Sequence, residues 1–225
     1  MKNILIVLAL SLVVIVTGCK KDNFEAPTST IKGRVVYNNE PIGVRSNGVQ
    51  LELWQKGFQL FSKVAVYVDQ DGAFSATMFD GAYKLTRLRG NGPWADNTDT
   101  IDVQLNGTAT VDVPVDPYFI IKSQNLAKSG NNVSGTVALQ RVNTTKALEL
   151  VRIYIGQTII TDQNNNAASA NVLAAAIPDV TQPVNLNVAI PTSLANKEFV
   201  YARVGVKAVG VAELAYGPAQ KIMLK

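Results

Sequence analysis

The pattern that most limits how this chain can fold is a two-residue alternation of apolar and polar side chains, in short runs broken by Gly, Asn, Asp and Pro. Period two sends alternate side chains to opposite faces of a pleated strand, whereas a helix needs apolar positions every three or four residues. From residue 30 the runs are Ile31 to Tyr37, Val49 to Trp54, Lys63 to Val68, Ala73 to Met78, Tyr83 to Arg89, Ile101 to Leu105 and Thr110 to Val115. Strands this short and closely spaced predict a sandwich. Asp71-Gly72 and Asn106-Gly107 fit hairpin turns, because these residue types tolerate positive φ, and Asp116-Pro117 closes the unit. A second set follows at Val133 to Val142, Glu149 to Ile155, Thr158 to Thr161, Val184 to Ile190, Phe199 to Ala208 and Ala219 to Leu224. There Val200, Ala202, Val204, Val206 and Ala208 alternate without interruption, so one face of that strand belongs to a core. Ala167 to Ala176 (AASANVLAAA) reads either as a short helical turn or as loop plus strand, with Pro178 close behind. The expected fold is all-β, with two β-sandwich domains over 30–117 and 118–225.

Composition removes many kinds of chemistry. The chain has no histidine and one cysteine. No Ser-His or Cys-His pair, imidazole base, His-ligated zinc, internal disulfide or thiolate cluster can therefore be built. A net charge of +4 over 225 residues is too weak to imply a nucleic-acid partner.

Ile4 to Val16 is an apolar run interrupted only by Ser11 and preceded by Lys2. It is shorter than the ~20 residues needed to span a bilayer and suits the apolar region of a signal peptide. Val16-Thr17-Gly18-Cys19 follows and resembles the lipobox of bacterial lipoproteins. The resemblance implies a signal peptide over 1–18, lipid attachment at Cys19, and a tether over 19–29. Lys20-Lys21 after the cysteine lacks the inner-membrane retention Asp, which points to the outer membrane. Asp22 and Glu25 resemble surface-export signals of Bacteroides-type bacteria, giving an expected cell-surface-facing lipoprotein.

Ile31-Lys32-Gly33-Arg34-Val35, Gly48-Val49-Gln50-Leu51, Asp71-Gly72-Ala73-Phe74 and Gly81-Ala82-Tyr83 together resemble the carboxypeptidase regulatory-like domain, a transthyretin-like sandwich. Tyr201-Ala202-Arg203-Val204 is similar to a late hairpin of immunoglobulin-like or fibronectin-like modules. With Gly90-Asn91-Gly92-Pro93-Trp94 and Pro117-Tyr118-Phe119, the whole order resembles a family of two-domain lipoproteins of Bacteroides-type bacteria. That resemblance implies genomic neighbours of the SusC-like and SusD-like kind, hence an accessory glycan-binding or scaffolding role in polysaccharide uptake. The other expectation is a structural or adhesin-like protein-protein interaction module.

No residue set reads as catalytic, and no cofactor is implied. The densest carboxylate cluster, Asp96, Asp99 and Asp102, has odd spacing, which reads as turn and cap residues rather than an acid-base pair. Asp69-Gln70-Asp71-Gly72 fails the calcium-loop pattern at the fifth ligand and the sixth-position glycine, so it reads as a hairpin turn, and no metal is expected. Aromatic residues are the better candidates, because rings stack on the C–H faces of sugars. Trp54 and Tyr67 fall opposite core positions, forming either a sugar platform or a packed edge. Trp94 either anchors its Gly-Asn-Gly-Pro loop or meets ligand. Arg152, Tyr154, Tyr201 and Arg203 form either a polar-aromatic patch or a solvated strand face. Asp99-Thr100-Ile101 resembles the O-glycosylation motif of Bacteroides-type bacteria, with Thr100 as acceptor. If Cys19 carries the lipid, Cys19→Ala moves the protein from the membrane pellet to the soluble fraction on cell fractionation; continued sedimentation with membranes refutes the anchor.

Overall fold

The computed structural model describes residues 25–57 and 62–225, so Cys19, the 1–18 signal segment and most of the tether lie outside the described residues. The first domain contains β1 (Ser29–Tyr37), β2 (Glu40–Pro41), β3 (Gln50–Gln55), β4 (Lys63–Tyr67), β5 (Ala73–Met78), β6 (Gly81–Arg87), β7 (Ile101–Leu105), β8 (Thr108–Thr110) and β9 (Val113–Pro114). One sheet has the order β2-β1-β5, with β8 and β9 pairing parallel to β1; the other runs β4-β3-β6-β7. Between them Ile31 and Val35 meet Leu51, Leu53, Leu85 and Leu105, the inward positions of the alternating runs. The run Thr110 to Val115 is divided into β8 and β9 rather than continuous. Gly107 has φ +73°, but its turn carries the chain from one sheet to the other instead of closing a hairpin.

The second domain contains β10 (Phe119–Ser129), β11 (Asn132–Arg141), β12 (Leu148–Gly156), β13 (Ala168–Leu173), a 3₁₀ turn (Ala174–Ala176), β14 (Val184–Ala189), the one-turn α1 (Thr192–Ala195), β15 (Phe199–Ala208), β16 (Ala215–Tyr216) and β17 (Gln220–Met223). A β10-β11-β14 sheet faces a β13-β12-β15-β16 sheet, with β17 also on β15. Val133, Val137, Leu186 and Val188 of one sheet close over Val151, Ile153, Val200, Val204 and Val206 of the other. The molecule is thus an all-β, two-domain protein. Two local expectations change. Thr158 to Thr161 is a loop, its turn closed by Thr161 Oγ1 donating to Thr158 O at 2.6 Å. The strand expected there lies instead in the alanine-rich stretch, as β13.

No free hinge joins the domains. Ala95 N donates to Asp116 O at 2.9 Å and Tyr118 N to Pro93 O at 3.1 Å, tying the connection to the first domain. Asn143 N donates to Pro117 O at 3.1 Å and Val142 N to Tyr118 O at 3.0 Å, tying it to the second. Farther along the border, Tyr216 N donates to Gly43 O at 2.8 Å. The backbones approach so closely there that a Cβ on Gly43 would sit 2.4 Å from Tyr216 O. Arg45 pairs with Glu213 across the same border at 2.6 Å.

Arg203, 1% exposed, is the largest fully buried side chain. Its Nε donates to Gly217 O at 2.9 Å within its own domain, and its Nη2 donates to Gln70 O of the other at 2.6 Å. The guanidinium lies 4.5 Å from the Tyr216 ring centroid, and its Nη1 has no hydrogen-bond acceptor among the described residues. Burial pulls the Arg203 pKa down from its ordinary value.

Arg203→Met keeps the apolar stem but takes the guanidinium donor from Gly217 O and from Gln70 O, the latter keeping only Val44 N–H at 3.3 Å, so urea unfolding should show a loss of about 1–3 kcal/mol; an unchanged midpoint would mean that this guanidinium adds no stability. A second prediction concerns acid. Asp80 Oδ1 accepts Ser29 Oγ at 2.5 Å and Gly107 N at 3.0 Å, joining the start of β1 to two turns. The Ser29 hydroxyl first, then the Gly107 N–H, hold its pKa below the ordinary 3.8. A lowered carboxylate pKa gives stability that is present above the unfolded value and lost as pH falls through the folded one. Asp80→Asn should therefore flatten the decline in melting temperature between about pH 4 and pH 2. A slope identical to that of the parent protein in this window refutes the assignment.

Candidate functional site

The outward face of the β4-β3-β6-β7 sheet carries a groove of about 530 Å³. Directly opposed residues on neighbouring strands share a face. Trp54 lies opposite Lys63 on β4 and Lys84 on β6, with Asp102 of β7 beyond, so the row reads Lys63, Trp54, Lys84, Asp102. The adjoining row is Ala65, Glu52, Thr86. Glu52 is buried although it faces outward. Its Oε2 accepts the Trp54 Nε1–H at 3.2 Å and its Oε1 accepts Lys63 Nζ at 2.5 Å. A carboxylate bonded to both groups sets the angle of the indole as it enters the groove.

The second wall is the loop over 95–100, held from several directions. Asp96 Oδ1 accepts Gly90 N at 2.7 Å and Asn97 Oδ1 accepts Asp99 N at 2.6 Å. Arg87, at an inward position of β6, donates from Nη1 to Asp99 O at 3.2 Å and from Nη2 to Pro114 O at 2.5 Å. Its guanidinium ties the loop to β9, and burial lowers its pKa. Trp94, 5% exposed, anchors the base of the loop in the core. It packs so tightly on Gly92 that a Cβ there would lie 2.1 Å from the indole. Side chains of Lys56, Lys84, Arg89, Thr98 and Thr100 line the groove with Trp54 and Leu88.

The structure separates the residues singled out from the sequence. Trp54 lines the groove. Tyr67 shares its face and is 52% exposed, but it is opposite Gln50, four residues along β3 from Trp54. At the rise of an extended strand that puts the two roughly 14 Å apart, too far for one sugar ring to cover both. Trp94 anchors its loop and offers no surface to a ligand. Tyr154 and Arg203 do sit opposite each other on β12 and β15, yet both are buried, because the first domain and the 157–166 loop cover that face. Burial raises the Tyr154 pKa. Arg152 bonds Asn171 on the neighbouring strand, and Tyr201 meets the Phe199 ring edge-on at 5.7 Å. Arg152 also lies 5.8 Å from the Tyr154 ring centroid, but with Tyr154 and Arg203 buried the four make no common exposed patch. Thr100 is exposed on the groove rim, so a glycan attached there would occupy it.

The carboxylates are engaged in structure. Asp102 pairs with Lys84, Arg89 Nε lies 3.7 Å from Asp96, and Asp69 Oδ1 accepts the Asp71 and Ala73 N–H groups at 2.9 Å. Among the described residues no group of three or more metal-ligating carboxylates or thiols occurs, and no helix is long and apolar enough to cross a membrane.

Sequence reasoning missed Lys56, Lys84, Arg87 and Arg89. One signal was readable: Arg87 follows Tyr83 and Leu85 in inward phase, which marks a buried cation. It also missed a second hollow, about 570 Å³, along the domain border between Tyr37, Ile42, Gln70, Ile121 and Pro218. Of the two rings there, Tyr216 is buried under Arg203 and Tyr37 is only partly exposed, whereas the Trp54 groove sets its indole among several cationic and hydroxyl side chains.

Fold and groove define a two-domain, all-β protein with a walled groove on the outer face of one sheet. The DUF3823 N-terminal domain, of unknown function, matches residues 29–116, and the DUF3823_C domain, also of unknown function, matches 119–221. The chain belongs to the DUF3823 family. The crystal structure of a DUF3823 protein from Bacteroides ovatus is similar at 35% identity and TM-score 0.81, covering 88% of this chain and all of that one. A Parabacteroides merdae member is similar at 33% identity with the same TM-score and the same coverage. A Bacteroides uniformis protein, described as a candidate carbohydrate binding protein, shares the fold at 18% identity, TM-score 0.71 and the same coverage. A comparison with curated proteins finds no match.

Proposed function

We propose that this protein is a non-enzymatic outer-membrane lipoprotein, facing the cell surface, that holds glycan as an accessory component of a Sus-like polysaccharide uptake system. The observation that carries the reading is the Trp54 groove. An indole held at a set angle by Glu52 borders threonine hydroxyls, an asparagine amide and cationic side chains. Carbohydrate sites need that combination, an apolar ring for the C–H face and convergent polar groups for the hydroxyls. The lipobox at Cys19 supports the membrane attachment, and the resemblance to lipoproteins found beside SusC-like and SusD-like proteins supports the partner assignment. The Bacteroides uniformis protein described as a candidate carbohydrate binder has the same fold.

A second reading, a protein-protein interaction module, has its own support. Strand β4 is a sheet edge, and its Val64 and Tyr67 are 44% and 52% exposed. An unpaired edge with apolar side chains is a ready template for another chain.

Affinity electrophoresis and calorimetry against a polysaccharide panel separate the two. Trp54→Ala should weaken glycan retention about tenfold or more, the effect of losing a central aromatic anchor. Retention by no polymer, or retention unchanged in Trp54→Ala, sinks the glycan reading. Capture of outer-membrane partners that is lost in Tyr67→Lys would then favour the interaction module.

A further inference from the structure

We infer that the Trp54 groove takes anionic saccharides, those bearing carboxylate or sulfate groups, and this rests on the glycan reading above. The inference comes from the distribution of charge along the walls. Three cationic side chains line the groove besides the inward Arg87: Lys56, Lys84 and Arg89. Glu52 alone supplies a carboxylate among the lining residues, and that carboxylate is already bonded to the Trp54 indole and the Lys63 ammonium. An incoming anion therefore meets ammonium and guanidinium donors without facing an uncommitted carboxylate.

The acidic partners of the cations lie outside the cavity. Asp102, which pairs with Lys84, does not line it, and its side chain is 78% exposed. Asp96 sits 3.7 Å from Arg89, longer than a hydrogen bond, and spends Oδ1 on Gly90 N. Lys56 is exposed and enters no ion pair among the described residues. Water-screened pairs of this sort contribute little, so their cations can turn to a better acceptor at small cost. A guanidinium and two ammonium groups around an indole give a charged sugar both of its contacts: ring on ring, and acid group on base. A neutral sugar would use the ring and hydroxyl partners alone. The cavity is large enough for more than one sugar unit.

The test compares polygalacturonate (carboxylate only) and chondroitin sulfate (carboxylate and sulfate) with amylopectin and dextran. Calorimetry and affinity electrophoresis are run at about 20 mM and about 300 mM NaCl, where screening changes most. The expected result is retention by one or both anionic polymers, at least about tenfold tighter than by the neutral ones at low salt and weakened at high salt. Lys56→Glu and Arg89→Glu should each remove most of that preference, and Lys56→Gln part of it. Lys197→Glu, the same charge change on the second domain, should leave it intact. Binding of polygalacturonate comparable to that of chondroitin sulfate assigns the carboxylate as the recognised group; a preference for the latter assigns the sulfate. Equal binding of neutral and anionic polymers, insensitive to salt and to both reversals but lost in Trp54→Ala, overturns this inference and leaves the platform standing. If anionic polymers bind equally well to Trp54→Ala, or no polymer binds, both readings fall together.

Discussion

Burying a guanidinium costs several kcal/mol unless protein acceptors replace the water it gives up, and Arg203 finds its acceptors on both sides of a domain border. Neither domain alone could complete this arrangement. Gln70 O comes from the first domain, while Gly217 O and the Tyr216 ring come from the second. Around this centre the close pass of Gly43 against Tyr216 and the Arg45–Glu213 pair close the seam, and the connecting residues are bonded to both sides. Flexible tandem modules usually meet through small, polar contacts and swing about a linker. Here the linker is part of the contact, so the Trp54 groove keeps one orientation relative to the second domain.

The groove obeys the same rule on a smaller scale: polar groups that cannot be left unsatisfied are used to hold shape. Glu52 is buried with two donors, Arg87 with carbonyls of two segments, and Trp94 is wedged against a glycine. A wall built this way exists before ligand arrives, which lowers the ordering cost of binding. The hydrogen-bond groups left facing the cavity belong to long side chains and hydroxyls that can adjust to an incoming ligand. Rigid support and adaptable tips are what the proposed glycan role asks of this groove.

Much of the architecture was legible because period-two alternation is a local property. Phe199 to Ala208, Ala73 to Met78 and Ile101 to Leu105 form strands at the expected boundaries. The failures have physical causes. Strand β10, eleven residues long, escaped because it pairs on one side only and its middle, Lys122 to Asn125, is polar. Strand β13 escaped because alanine and asparagine carry little strand signal, and its place in the sheet comes from pairing with β12. For the site, outward placement of Trp54 and Tyr67 was readable, but the distance between them depends on register. Tyr154 and Arg203 look like surface residues from their own strands, and only the packing of another domain makes them interior. Arg87 announced itself by a charge in an apolar phase.

The pairing of β1 with β8 and β9 is parallel, and its bonded partners lie far apart in sequence: Arg34 meets Asp112 across 78 residues. A chain that emerges N-terminus first therefore presents its opening strand long before the segments that complete the sheet. Until they arrive, one side of β1 is an open edge of backbone donors and acceptors, the kind of surface on which chains mispair. Because long loops must close before such contacts form, this sheet is completed only after the last strands of the first domain have been made. The first strand to be made is thus among the last to have its pairing completed within its own domain.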